Sequence, residues 1–138
     1  MIHDVLGKIR FLLIVCSITA GVLSLAGCSD NPLSPFQPEI GNNADNFQFQ
    51  ATAVQDVTTT AMYLWNNTGT RAKVNQSSAI TDGAAEVVFR DADNVEVYRR
   101  SLSLNGDSTS AVGAPGNWTV VVTLTTLDGT LNFRAEKL

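Results

Sequence analysis

The side chains best suited to nucleophilic and metal chemistry are scarce in this chain and crowded at one end. Cys16, Cys28 and the only histidine, His3, all fall within the first 28 of 138 residues. Beyond residue 28 there is no imidazole to act as a general base and no thiol, so neither a Ser-His-Asp nor a Cys-His arrangement can be assembled there. A zinc site built on His and Cys is excluded for the same reason. Oxygen chemistry remains, and its densest cluster is Asp91-Ala92-Asp93-Asn94 with Glu96 close by. Asp91 and Asp93 have the alternate spacing of a calcium loop, but the glycine of its sharp turn and its closing bidentate glutamate are missing. The same residues suit a β-turn, because Asp and Asn tolerate turn dihedrals and bond to nearby amides. A turn is therefore the expectation, with no metal and no cofactor. A pair of carboxylates from distant strands is what glycoside hydrolysis would need, and spacing alone places no such pair. The chain is expected not to be an enzyme.

Cys28 has a different setting. Lys8 and Arg10 precede an apolar run over residues 11–25, diluted by Ser17, Thr19, Gly21 and Ser24. This is the order of a secretory signal peptide, a basic segment and then an apolar one. Fifteen residues fall short of the roughly 20 that a membrane-spanning helix needs. The run closes on Leu25-Ala26-Gly27-Cys28, with a leucine three positions before the cysteine and two small residues beside it.

That tetrapeptide resembles the lipobox of bacterial lipoprotein signal peptides. The resemblance implies that the Cys28 thiol receives a diacylglycerol, that a dedicated peptidase cuts just before it, and that the new α-amino group is open to acylation. Ala26 and Gly27 leave an extended backbone free to approach the peptidase. Two or three acyl chains anchor durably where one gives only marginal binding, at about 0.8 kcal/mol per buried methylene. Cleavage would remove residues 1–27 and with them His3 and Cys16. The expected location is the cell envelope, held to a membrane through the lipid on Cys28. Ser29 follows the cysteine, and in the proteobacterial sorting rule an Asp there favours inner-membrane retention; the outer membrane is the expectation for a Gram-negative host.

The net charge is −4, and seven of the nine Lys and Arg residues lie scattered beyond the cleavage point. Binding nucleic acid requires a basic stripe that neutralises phosphates, so no nucleic-acid partner is expected. The Asn-x-Ser/Thr triplets at Asn66, Asn75 and Asn117 would be glycan acceptors in a eukaryotic secreted protein; behind a lipobox they read as chance in a chain rich in Thr and Asn.

Three parts follow from this reading: a signal peptide over residues 1–27, a lipidated N-terminus and flexible tether over residues 28–46, and one domain over residues 47–138. The tether is assigned from Pro32, Pro35, Pro38, Gly41 and Asn42, Asn43 and Asn46, a mixture without periodicity or apolar content. Its 18 residues after Cys28 would reach about 60 Å if fully extended.

From Phe47 the apolar period becomes two, with Phe47, Phe49, Ala51 and Ala53 on one face. Further runs cover residues 57–66, 71–75, 84–90, 95–104, 117–126 and 130–137, separated by Asn67-Thr68-Gly69, Asp82-Gly83, Asp93-Asn94, Asn105-Gly106 and Asp128-Gly129. Every separator holds a residue that tolerates positive φ. Seven short strands with no long helical period predict an all-β domain, a single antiparallel β-sandwich. The expected core is Ala72, Val74, Ala85, Val87, Phe89, Val95, Val97, Trp118, Val120, Val122, Leu124, Leu131, Phe133 and Ala135. In residues 57–66 Met62 and Leu64 compete with Ala61, Tyr63 and Trp65 for the inner face; Trp65 is placed inward because a buried aromatic stabilises by a few kcal/mol.

The turns and aromatics around Trp65-Asn66-Asn67-Thr68-Gly69-Thr70, Asp91-Ala92-Asp93-Asn94, Gly116-Asn117-Trp118-Thr119-Val120 and Gly129-Thr130-Leu131-Asn132-Phe133 resemble the immunoglobulin-like or jelly-roll modules of bacterial envelope proteins. That resemblance implies a fold and transfers no active site. Two roles are expected of such a module. The first is a structural or accessory one, in which the domain docks to another envelope protein. The alternative is carbohydrate binding, with Tyr98 the exposed aromatic, flanked by Arg99 and Arg100, that would stack on a sugar ring. That placement assumes that Val95 and Val97 point inward by strict alternation.

Overall fold

A computed structural model describes residues 36–138. The lipobox residues Leu25, Ala26, Gly27 and Cys28 lie outside the described residues. Within them the chain is all-β, with seven strands paired antiparallel throughout: β1 (Glu39–Asn43), β2 (Asn46–Asn67), β3 (Ala72–Gln76), β4 (Ala79–Arg90), β5 (Glu96–Ser101), β6 (Gly106–Thr109) and β7 (Gly116–Lys137).

β2 and β7 carry the architecture. Each is 22 residues long, which would span about 70 Å if straight at 3.3 Å per residue. Strands of globular domains usually run to about 10 residues. The pair stays hydrogen-bonded from Asn46↔Glu136 to Asn67↔Gly116, and its register slips three times near the middle, between Ala51 and Thr59. Each slip is a β-bulge, an extra residue that bends the strand and sharpens its twist. The bulges are written in the apolar spacing. Phe47, Phe49 and Ala51 are buried two apart, then Ala51, Val54 and Val57 three apart. Ala53 and Asp56 take positive φ at this crease, as do Thr126 and Gly129 on β7.

The crease folds one sheet into two facing layers. In one layer the order is β1, the first half of β2, the second half of β7, β3 and β6; in the other the second half of β2 and the first half of β7 continue to β4 and β5. Aromatic rings bridge the layers: Phe47 lies 6.5 Å from Trp65, Phe49 6.0 Å from Tyr63, and Phe89 6.4 Å from Phe133. Asp45 N–H donates to the Asn66 carbonyl at 2.8 Å and joins the layers at the end away from the crease. β4 crosses the crease too, and two glycines make room for it. A Cβ on Gly83 (φ +73°) would stand 2.2 Å from the Thr126 carbonyl oxygen, and one on Gly129 (φ +137°) 2.3 Å from that of Ala79.

The expected all-β antiparallel domain is present, but its strands are divided differently. Residues 47–53 and 57–66 belong to one strand, as do 117–126 and 130–137, because Asp128-Gly129 is a bend within a continuous ladder and not a turn. Asp82-Gly83 likewise lies inside β4. Part of the stretch expected as tether, residues 28–46, is strand instead. Residues 39–43 form β1, paired with residues 46–50, and Ile40 packs against the core. Trp65 is fully buried as expected, whereas Ala53 and Val95 are exposed. Ala53 is displaced by the bulge and Val95 falls in the turn before β5.

Candidate functional site

The proposed sugar platform is not at the surface. Tyr98 is 8% exposed; its ring lies 5.0 Å from that of Phe89 and its hydroxyl shares a 2.8 Å hydrogen bond with Ser108. Gln76 completes the network. In the orientation that satisfies every partner its amide donates to the carbonyls of Leu104 (2.8 Å) and Ser101 (3.1 Å) and accepts from Tyr98 (3.1 Å). A bulge interrupts the expected alternation, because Phe89 pairs with Tyr98 and Arg90 with Glu96, leaving Val97 as the extra residue. Val97 is buried as expected, in the same core cluster as Tyr98 and beside Gly113, and its carbonyl accepts from Ala111 N–H at 2.8 Å.

Arg99 and Arg100 do not join Tyr98 in one surface. Arg99 donates twice to Glu96, at 2.8 Å each, and also pairs with Glu86. The bond to Glu96, reinforced by the charge of Glu86, raises the Arg99 pKa above its ordinary range; the bond from Arg99 holds the Glu96 carboxyl below its own. Arg90 adds a contact to Glu96 at 3.9 Å. Arg100 reaches the Asn105 carbonyl at 3.5 Å.

The acidic cluster is a turn, as its residue types suggested. One Asp91 oxygen accepts from the amides of Asp93 (3.0 Å) and Val95 (2.8 Å), and the other accepts from Ala114 N–H at 2.8 Å. These amides lower the Asp91 pKa, Ala114 most. Asp91 thus closes the β4–β5 turn, in which Asn94 takes φ +63°, and pins the segment before β7. Among the described residues no three His, Cys, Asp or Glu side chains are grouped to hold a metal ion.

The remaining surface divides by charge. On the layer containing β3, a shallow depression is lined by Lys73, Asn75, Asp107, Arg134 and Glu136. Its charges answer one another: Asn75 donates to Asp107 at 2.6 Å, Lys73 lies 3.5 Å from Asp107, and Arg134 lies 3.9 Å from Glu136. The hydrogen bond from Asn75 and the charge of Lys73 keep the Asp107 pKa low. On the other layer the register places Thr60, Met62, Leu64 and Asn66 of β2 beside Thr123, Val121, Thr119 and Asn117 of β7. These eight positions carry no charge, while Glu86 and Arg90 of β4 lie beside Thr123 and Thr119 on the same face. Met62 and Leu64 are 71% and 67% exposed. Their exposure follows from Trp65 pointing inward, so the signal was present in the alternation of residues 61–65.

No protein-family model matches the chain, and no curated protein matches it.

Proposed function

We propose that this protein is a lipid-anchored component of a bacterial cell envelope, and that its β-domain is a non-enzymatic structural or protein-binding module. The observation that carries the reading is Leu25-Ala26-Gly27-Cys28 placed directly after the apolar run of residues 11–25. The surface chemistry agrees with it: the carboxylates of Asp91, Glu96 and Asp107 are engaged by neighbouring amides and cations, which leaves them poor acids or bases. The anchor is the diacylglycerol on Cys28, and Ser29 directs the protein to the outer membrane of a Gram-negative host. With β1 starting at Glu39, ten residues separate it from Cys28, a reach of at most about 35–40 Å if fully extended. The domain works close to the bilayer.

Metabolic labelling with a clickable fatty acid tests the anchor. Wild type takes up label and sediments with membranes, while Cys28→Ser loses both. Equal labelling of the two, or none in wild type, overturns the reading.

A further inference from the structure

We propose that Asn105-Gly106 is a site of spontaneous deamidation in this chain, and that the fold holds the reaction in check by clamping the Asn105 side chain onto Ser78. The inference stands apart from the lipid anchor and from any binding role of the domain.

The reaction needs only the chain and water. The Gly106 backbone nitrogen attacks Cγ of Asn105, and a new C–N bond closes a succinimide ring. The Cγ–Nδ2 bond breaks, and Nδ2 leaves as ammonia with the proton that Gly106 N–H gives up. Water then opens the ring at either carbonyl, leaving aspartate or, with the main chain rerouted through Cβ and Cγ, isoaspartate. Glycine favours the attack because it has no side chain to crowd the nitrogen and its backbone turns freely. Asparagine is followed by glycine at this one place in the sequence.

Packing does not shield the site. Asn105 is exposed, in the loop that leads from β5 into β6. Gly106 takes φ +108°, and a Cβ built on it would meet no atom within 4 Å. The restraint comes from hydrogen bonds. Asn105 Oδ1 accepts from Ser78 N–H at 2.7 Å, and Nδ2, the leaving group, donates to the Ser78 carbonyl at 3.0 Å. Ring closure makes Cγ tetrahedral and swings both atoms off these partners, so it costs both bonds. Ser78 cannot follow, because it is buried and its Oγ accepts from Asn132 N–H (3.0 Å) and donates to the Asn132 carbonyl (3.3 Å).

The same loop is held from inside by Gln76, which donates to the carbonyls of Leu104 and Ser101. β6 itself is four residues long and, among the described residues, pairs with β3 alone. Short edge segments of this kind open locally before the whole fold does, and such an opening frees Asn105 to react. The product does not close again in the same way. Aspartate sets a carboxylate oxygen, with no hydrogen to donate, against the Ser78 carbonyl, and isoaspartate adds a methylene to the main chain just ahead of β6.

Peptide mass mapping of the purified full-length protein, incubated in mildly alkaline water enriched in heavy oxygen, tests the site and the clamp together. In urea, Asn105 should convert ahead of every other asparagine and retain one heavy oxygen in aspartate and isoaspartate products. In the folded protein, two hydrogen bonds of ordinary net strength should make the same conversion roughly tenfold to a hundredfold slower. As urea is raised below the unfolding transition, conversion should rise in step with hydrogen exchange at Ser78 N–H, the donor of the clamp. Asn105→Asp, which installs one product directly, should lower the urea midpoint. Another asparagine converting first in urea overturns the site. Equal rates in folded and unfolded protein, conversion that ignores Ser78 exchange, or an unchanged midpoint for Asn105→Asp overturns the clamp.

Discussion

Asp91 shows how one side chain can hold two chain segments in place without touching a ligand. Its two oxygens take three amide hydrogens, donors that would otherwise need water. Asp91→Ala should lower the melting temperature by several degrees and raise hydrogen exchange at Val95 and Ala114, a pattern that amide exchange measured by NMR would resolve. Four carboxylates among the described residues share this depressed titration: Asp45, held by Lys137 and Thr68, with Asp91, Glu96 and Asp107. A carboxylate whose pKa is lower folded than unfolded contributes stability above its unfolded value, and loses that contribution as pH falls through the folded one. With ordinary values of 3.8 for Asp and 4.5 for Glu, unfolding midpoints in urea should be level through neutral pH and fall below about pH 4.5. A midpoint that rises on acidification would contradict the assigned partners. Tyr98 belongs to the same scale. Tyr98→Phe should cost about 1 kcal/mol for the lost hydroxyl bonds to Gln76 and Ser108, and Tyr98→Ala about 3–5 kcal/mol for the lost ring, both measured by urea denaturation.

At the scale of elements, the crease decides the shape. Two strands this long form a closed core only by bending, and bulges at Ala51, Val54 and Val57 supply the bend while keeping all three side chains inside. Gly83 and Gly129 let β4 follow the turn against β7 backbone. Gly83→Ala and Gly129→Ala should each destabilise by more than about 1 kcal/mol, because the substituted residue meets both a positive φ and a carbonyl oxygen. Thr126 is the converse case, a β-branched residue at φ +42°. Thr126→Gly should raise stability by up to about 1 kcal/mol. A thermal melt of the three variants separates these signs. The crease was partly legible beforehand, since the change of apolar spacing from two to three is visible in residues 47–57. Strict alternation continued through Ala53 missed it, and the same habit misplaced Tyr98, where a single bulged residue lets Val97 and Tyr98 both enter the core.

For the whole molecule, the aromatic cluster makes one cooperative unit of the two layers. Phe49 stacks on Phe133 with centroids 5.2 Å apart, and Trp65 meets Trp118 edge-on at 5.8 Å. Phe133→Ala should cost about 3–5 kcal/mol and destabilise both layers together, seen as coincident transitions by fluorescence and circular dichroism. The sequence by itself determined the antiparallel all-β class, the inward Trp65 and the Asp91 turn, because side-chain periodicity and turn dihedrals are local properties. It also contains the whole of the argument for Cys28, whose meaning lies in the order of four residues after an apolar run. Tertiary structure alone decided which runs fuse into β2 and β7, that residues 39–43 join the sheet, and that Tyr98 is core. Those outcomes depend on register between strands as many as 90 residues apart, and one inserted residue is enough to change which face a side chain occupies.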